Sequence, residues 1–304
     1  MSRIDEALKV LERDAAGARG VTPADTASSS APVAPLTVYP GESRTTSDAP
    51  AAQDRSAHRP HARRVENATV TPRPRLADPE SKLIGRATAP VLVEQYRRLA
   101  ASLHEAQGRR GLNTVMMTSA VPREGKTLTT LNLALTLSES YDRRVLVVDA
   151  DLRWPSIHDV LGIPNTRGLC EALDEPGTDV PLIEWSQNLS VLTAGHAGSS
   201  PLAGLTSDRM AVLLDEFERR FDWVLIDTPP VGFLPDAQLL ARLIEAVVFV
   251  IGAGSTPARV VERAVAALGS ECILGVVLNR VEENQIQDAG YYYGGSNVPP
   301  VQVR

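Results

Sequence analysis

The sequence predicts an α/β domain built on a mostly parallel sheet covered by helices on both faces. Three observations predict it. From about Ala89 to about Asn279, short apolar runs of strand length alternate with longer helix-like runs. Two of the apolar runs, Val145 to Val148 and Trp223 to Ile226, pass straight into acidic residues at Asp149-Ala150-Asp151 and Asp227. Parallel strands deliver acids to their carboxyl ends in this way. A third run, Thr114 to Met117, is followed by Thr118-Ser119-Ala120-Val121-Pro122-Arg123-Glu124-Gly125-Lys126-Thr127 and then by a helical pattern.

In chain order, Ile4, Leu8 and Leu11 recur at helical spacing and give residues 1–14 as a short amphipathic helix. Residues 15–82 are rich in Ala, Pro, Ser, Thr, Asp and Arg and poor in large apolar side chains, so they read as a disordered linker unable to offset the entropy of ordering. Residues 83–281 form the folded domain, opening with a helix near Ala89 to Glu105. The expected strands are Thr114 to Met117, Val145 to Val148, Leu189 to Leu192, Val224 to Ile226, Ala246 to Ile251 and Ile273 to Leu278. One helix runs from Lys126 to Ser140; another, from Ser207 to Arg220, sets Met210, Leu213, Leu214 and Phe217 on one side to pack on the sheet. Residues 282–304 read as a flexible tail, and Tyr291, Tyr292 and Tyr293 within it are half of all six tyrosines.

Composition narrows the function classes. No stretch reaches the roughly 18 apolar residues needed to span a bilayer, and Glu245 interrupts the strongest candidate, from Leu243 to Ile251. The N-terminus lacks an apolar signal-peptide core, so the expected location is cytoplasmic, with membrane attachment supplied by a partner. Cys170 and Cys272 stand in no CxxC spacing, which indicates neither a zinc site nor a disulfide framework. A net charge of -6 argues against general nucleic-acid binding, and the basic stretch Arg59 to Arg75 reads as a solvated tail.

The segment ending Gly125-Lys126-Thr127 supplies what a phosphate-binding loop requires: a tight turn aiming N–H groups at phosphate, a lysine for the β/γ-phosphates and a hydroxyl for Mg²⁺. Position 120, where the full pattern wants a second glycine, is alanine. Any one of the acids would by itself be read as a helix or turn cap. Together with the loop they make a metal-nucleotide site. The three adjacent tyrosines, flanked by glycines, read either as an edge strand offered to a partner or as acceptors of phosphate.

The chain resembles the bacterial tyrosine kinase (BY-kinase) family, the autokinases that accompany capsular and exopolysaccharide export. The resemblance covers roughly Ala89 to the C-terminus. It rests on the Ser-x-x-Pro-x-x-Gly-Lys-Thr loop, on Asp149-x-Asp151-x-Arg153, on Asp227-Thr-Pro-Pro and on the tyrosine cluster; Ser2-Arg3-Ile4-Asp5-Glu6-Ala7-Leu8 is also similar to the start of some of these autokinases. It implies a P-loop NTPase fold of the ParA/MinD-like type. It further implies an ATP- and Mg²⁺-dependent kinase that phosphorylates Tyr291, Tyr292 and Tyr293.

On the resemblance, Pro122, Arg123, Glu124, Gly125, Lys126, Thr127 and Leu128 form the nucleotide loop, and Lys126 holds the β/γ-phosphates. Thr127, Asp151 and Asp227 form the metal shell. Asp149 is the base or the orienter for the incoming tyrosine hydroxyl, Arg153 neutralises charge and Asn279 contacts adenine. The implied partners are a membrane adaptor or chain-length determinant of polysaccharide export, a cognate tyrosine phosphatase and further copies of the chain.

Arg123 stands where the family usually has a glycine after Pro122, and the Glu-x-x-Arg-x-x-Arg assembly motif loses its second arginine to Ala100. Two rival readings are a ParA/MinD-like positioning ATPase and an ATP-binding scaffold without kinase activity. Against the first, its signature lysine is Val121 here, and the chain ends in Tyr/Gly-rich sequence rather than an amphipathic helix.

Overall fold

The structure is a computed structural model that describes residues 37–40, 69–70, 83–84, 88, 90–175, 177–196, 201–232 and 235–281. The expected helix at 1–14, most of the expected linker and the tail with its tyrosines lie outside these residues.

In chain order the elements are β1 (Thr37–Pro40), β2 (Thr69–Val70), α1 (Pro90–Arg110), β3 (Thr114–Ser119), α2 (Lys126–Ser140), β4 (Val145–Asp149), α3 (Ile157–Leu161), α4 (Leu169–Asp174), β5 (Ile183–Glu184), β6 (Leu189–Leu192), α5 (Pro201–Leu205), α6 (Asp208–Arg220), β7 (Trp223–Asp227), α7 (Asp236–Leu240), β8 (Ala246–Gly252), α8 (Ala258–Leu268) and β9 (Ile273–Asn279). They build one sheet in the order β1-β9-β8-β3-β7-β4-β6-β5-β2. From β9 to β6 all pairs are parallel, while β1 on β9 and β5 on β6 are antiparallel.

Alternation along the strands sorts the core into two layers. Val115 and Met117 of β3, with Val145, Val147, Leu225 and Val248, face Leu99 and Leu103 of α1 and Leu131 and Leu135 of α2. Met116, Leu146, Val148, Ile226 and Phe249 face the other way, onto Met210, Leu213 and Phe217 of α6. A strand buried on both faces has no polar alternation, which is why these segments read as continuous apolar runs. Ser207 caps α6, its side chain accepting from Met210 N.

The segment expected to be linker departs from that expectation at two places, since β1 and β2 add strands at the two edges of the sheet. The physical reason is local: Thr37-Val38-Tyr39 is a run of β-forming residues that satisfies the otherwise open edge of β9. Averaged composition over the whole segment hides so short a run. Among the described residues, no helix is long and apolar enough to cross a membrane.

Candidate active site

The loop from Ala120 to Gly125 joins the central strand β3 to α2. Gly125 closes it with φ +93°, and a Cβ there would collide with the Asn279 amide, so both the backbone sign and the space demand glycine. Arg123 adopts φ 67° in the same left-handed region without that freedom. Two residues at the end of β9 hold the loop from outside: Asn279, its last residue, donates from Nδ2 to Glu124 O at 2.8 Å, and Arg280, the next, donates from Nη2 to Arg123 O. Glu124 holds it from within. Its carboxylate is buried and accepts from Val121 N at 2.8 Å, Gly252 N at 2.9 Å and Thr256 Oγ1 at 2.6 Å, with only 2% of the residue exposed. The loop is therefore tied to the ends of both β8 and β9. Beyond it, the first turn of α2 presents N–H groups that have no intrahelical acceptor, a ready anion site.

The acids arrive from two neighbouring strands. Asp149 and Asp227 are directly paired across β4 and β7. Thr127 Oγ1 donates to Asp227 Oδ2 at 2.6 Å and lies 3.1 Å from Ser156 Oγ. Lys126 Nζ lies 3.3 Å from Asp151 Oδ2. Asp149 Oδ2 accepts from the N–H groups of Ser156 and Ile157 at the start of α3, both at 3.1 Å. Burial, joined by repulsion from Asp227, nonetheless pushes the Asp149 carboxyl up to about 8. Burial also raises Asp227, to about 6, against the opposing pull of Lys126 and of the Thr127 hydroxyl. Burial works against the Lys126 ammonium, but the charges of Asp227 and Asp151 outweigh it and its pKa is raised, so it stays charged.

Lys126, Thr127, Asp149, Asp151 and Asp227 are thus brought together at one edge of the sheet, whereas other expected site residues lie differently. Pro122 and Arg123 are exposed at the loop tip, and Leu128 packs its side chain on the α1/α2 layer. Arg153 pairs with an acid after β7, its Nε lying 3.3 Å from Asp236 Oδ1. Asn279 spends its amide N–H on the loop carbonyl. Tyr291, Tyr292 and Tyr293 fall outside the described residues.

Four contributors escaped the sequence reading. Ser156, Asp236, Thr256 and Arg280 each touch a site residue from a distant position or through a backbone group. Only Ser156 left a signal, as a helix-capping residue after Pro155.

A divalent cation fits the donor set. Buried Asp227 Oδ1 has no hydrogen-bond partner, and together with the Thr127 hydroxyl and Asp151 it offers the hard oxygens that Mg²⁺ prefers. Among the described residues no three acidic, His or Cys side chains form a metal-holding group by themselves. The remainder of a Mg²⁺ shell would come from water and phosphate.

Comparison with known proteins agrees with this geometry. Residues 115–291 match the CobQ/CobB/MinD/ParA nucleotide binding domain family. Tyrosine-protein kinase YwqD of Bacillus subtilis (strain 168) is 34% identical over 203 residues, covering 66% of this chain and 85% of that one. Tyrosine-protein kinase wzc of Salmonella typhimurium is 31% identical over 206 residues, which are 66% of this chain but 28% of that longer one. The solved structure of the kinase domain of Escherichia coli tyrosine kinase ETK matches with a TM-score of 0.56 and 31% identity over 61% of this chain and 73% of that one.

Proposed function

The chain belongs to the CobQ/CobB/MinD/ParA nucleotide-binding family and, within it, to the bacterial protein-tyrosine kinases, and from that premise we propose that it transfers the γ-phosphate of ATP to Tyr291, Tyr292 and Tyr293 of its own C-terminal segment. The observation that carries the reading is the gathering of Lys126, Thr127, Asp149, Asp151 and Asp227 around one loop–helix junction.

Phosphoryl transfer asks little covalent chemistry of a protein and much positioning. The α2 N-terminus and Lys126 hold the β- and γ-phosphates. Thr127, Asp151 and Asp227 would hold Mg²⁺, which when bound would neutralise charge on the phosphate oxygens. Asp149 faces the acceptor. As the bond from tyrosine Oη to the γ-phosphorus forms, the bond to the β,γ-bridging oxygen breaks and ADP leaves; the phenolic proton passes to Asp149 and on to solvent. Burial and the neighbouring Asp227 charge raise the Asp149 carboxyl above an ordinary aspartate, which makes its carboxylate the stronger proton acceptor. Arg153, oriented by Asp236, lends positive charge at the rim, and Asn279 keeps the loop in register while bordering the base.

The cellular role we propose is control of capsular or exopolysaccharide production at the inner face of the cell membrane. A membrane adaptor would recruit the chain and a phosphatase would reverse the modification. The match to only 28% of wzc supports the adaptor: that relative carries much sequence outside the shared domain.

Transfer of labelled γ-phosphate to the protein tests the assignment. Lys126→Met and Asp149→Asn should each lower it by about a hundredfold or more, with unchanged secondary structure by circular dichroism. Transfer that persists in Lys126→Met removes the proposed site.

A further inference from the structure

We propose that Trp154 is the platform on which the Tyr291–Tyr293 segment of this chain lays its aromatic rings when a tyrosine enters the site. This rests on the kinase reading and adds to it the residue that selects the acceptor. Among the large apolar side chains exposed in the described residues, Trp154 is the most exposed, at 68%. The other two tryptophans are buried, Trp185 at 3% and Trp223 at 0%. An indole left in water has no packing reason to be there, but its backbone is held on both sides by the carboxylates of the site. Trp154 N donates to Asp151 Oδ1 at 3.1 Å, and two residues on, Ser156 N donates to Asp149 Oδ2 at 3.1 Å. Pro155 between them restricts the turn further. The backbone that carries the ring is thereby fixed at the rim, within three residues of Asp151.

The segment we assign to it can arrive. The chain leaves β9 at Asn279 and runs through Arg280 to Val281, on the same carboxyl edge of the parallel strands as the site. β9 and β4 are separated by β8, β3 and β7, a span of roughly 19 Å at ordinary strand spacing. The ten Cα-to-Cα steps from Val281 to Tyr291 reach about 33 Å when extended. The glycines flanking the tyrosines allow close backbone approach, and offset or edge-on stacking of a phenol on an indole leaves the hydroxyl pointing past the ring.

The test uses the full chain with Tyr291→Ala, Tyr292→Ala and Tyr293→Ala as enzyme, so that no tail ring competes for the indole, and a synthetic peptide of residues 285–297 as acceptor. Adding Trp154→Ala should raise the KM for peptide roughly three- to tenfold, as expected for loss of one aromatic stack, with the KM for ATP and kcat at saturating peptide held. Trp154→Phe should restore most of the affinity. Peptide added with a non-hydrolysable ATP analogue should shift tryptophan emission to shorter wavelength, and Trp154→Ala should abolish that shift. Unchanged peptide KM in Trp154→Ala overturns the platform, as does a loss confined to kcat or to the KM for ATP. If the parent enzyme phosphorylates neither the peptide nor, with its tyrosines present, its own tail, the kinase assignment itself has failed.

Discussion

Glu124 belongs to the nucleotide loop by sequence but acts through the turn after β8. Its buried carboxylate satisfies Val121 N, Gly252 N and Thr256 Oγ1 at once. Glu124→Ala leaves these donors without their acceptor and is expected to cost about 3 kcal/mol or more in chemical denaturation, together with a rise in the KM for ATP. Two residues before Gly125, Arg123 stores strain at φ 67°. Arg123→Gly exchanges about 1–2 kcal/mol of left-handed backbone cost for about 0.5–1 of lost chain entropy. A net gain of about 0.5–1 kcal/mol in unfolding free energy is expected. The carboxyls carry a pH signature. Asp149, raised to about 8, and Asp227, raised to about 6, bind protons more tightly folded than unfolded. Their contribution to stability is therefore fully present below the ordinary carboxylate pKa and is lost as pH rises through the folded values. Ligand-free protein in chelator should melt at falling temperature from pH 5 to about 8, and Asp149→Asn should flatten that slope.

At the scale of elements, α1 explains the missing arginine. Ala100 is 0% exposed and packed in the α1/α2 layer, while Arg98, one of its neighbours in sequence, is at the surface with Glu94 Oε1 3.7 Å from its Nε. Ala100→Arg therefore forces a charge into a filled core. Thermal unfolding should show a loss of about 3 kcal/mol or more, and no gain in oligomer size by light scattering is expected to accompany it. Long, doubly buried strands were legible because burial on both faces leaves an unbroken apolar run; β3, β4, β8 and β9 differ from expectation only in running on to Ser119, Asp149, Gly252 and Asn279. The short elements α3, α4, α5, α7 and β5 were not, since five or six helical residues, or two in a strand, complete too little of a period to be seen. The gathering of Lys126, Thr127 and the acids was legible because strand ends share one edge by topology. The inward turn of Glu124 and the pairing of Arg153 with Asp236 depend on partners more than 80 positions away in sequence, and nothing local announces them.

At the scale of the whole molecule, the order β9-β8-β3-β7-β4 places the loop strand between the strands that carry the acids and those that clamp the loop. The same carboxyl edge receives the phosphate loop, the acids and the point where the chain departs toward its tyrosines. A positioning ATPase would use that edge for hydrolysis alone; the kinase account requires the phosphate to end on a phenol. The measurement that separates them is mass spectrometry of the C-terminal peptide after incubation with ATP and Mg²⁺. The kinase account predicts phosphate on Tyr291, Tyr292 or Tyr293 that vanishes in Lys126→Met and Asp149→Asn. An unmodified peptide from a protein that still hydrolyses ATP, with a membrane partner's cytoplasmic segment supplied, would contradict it.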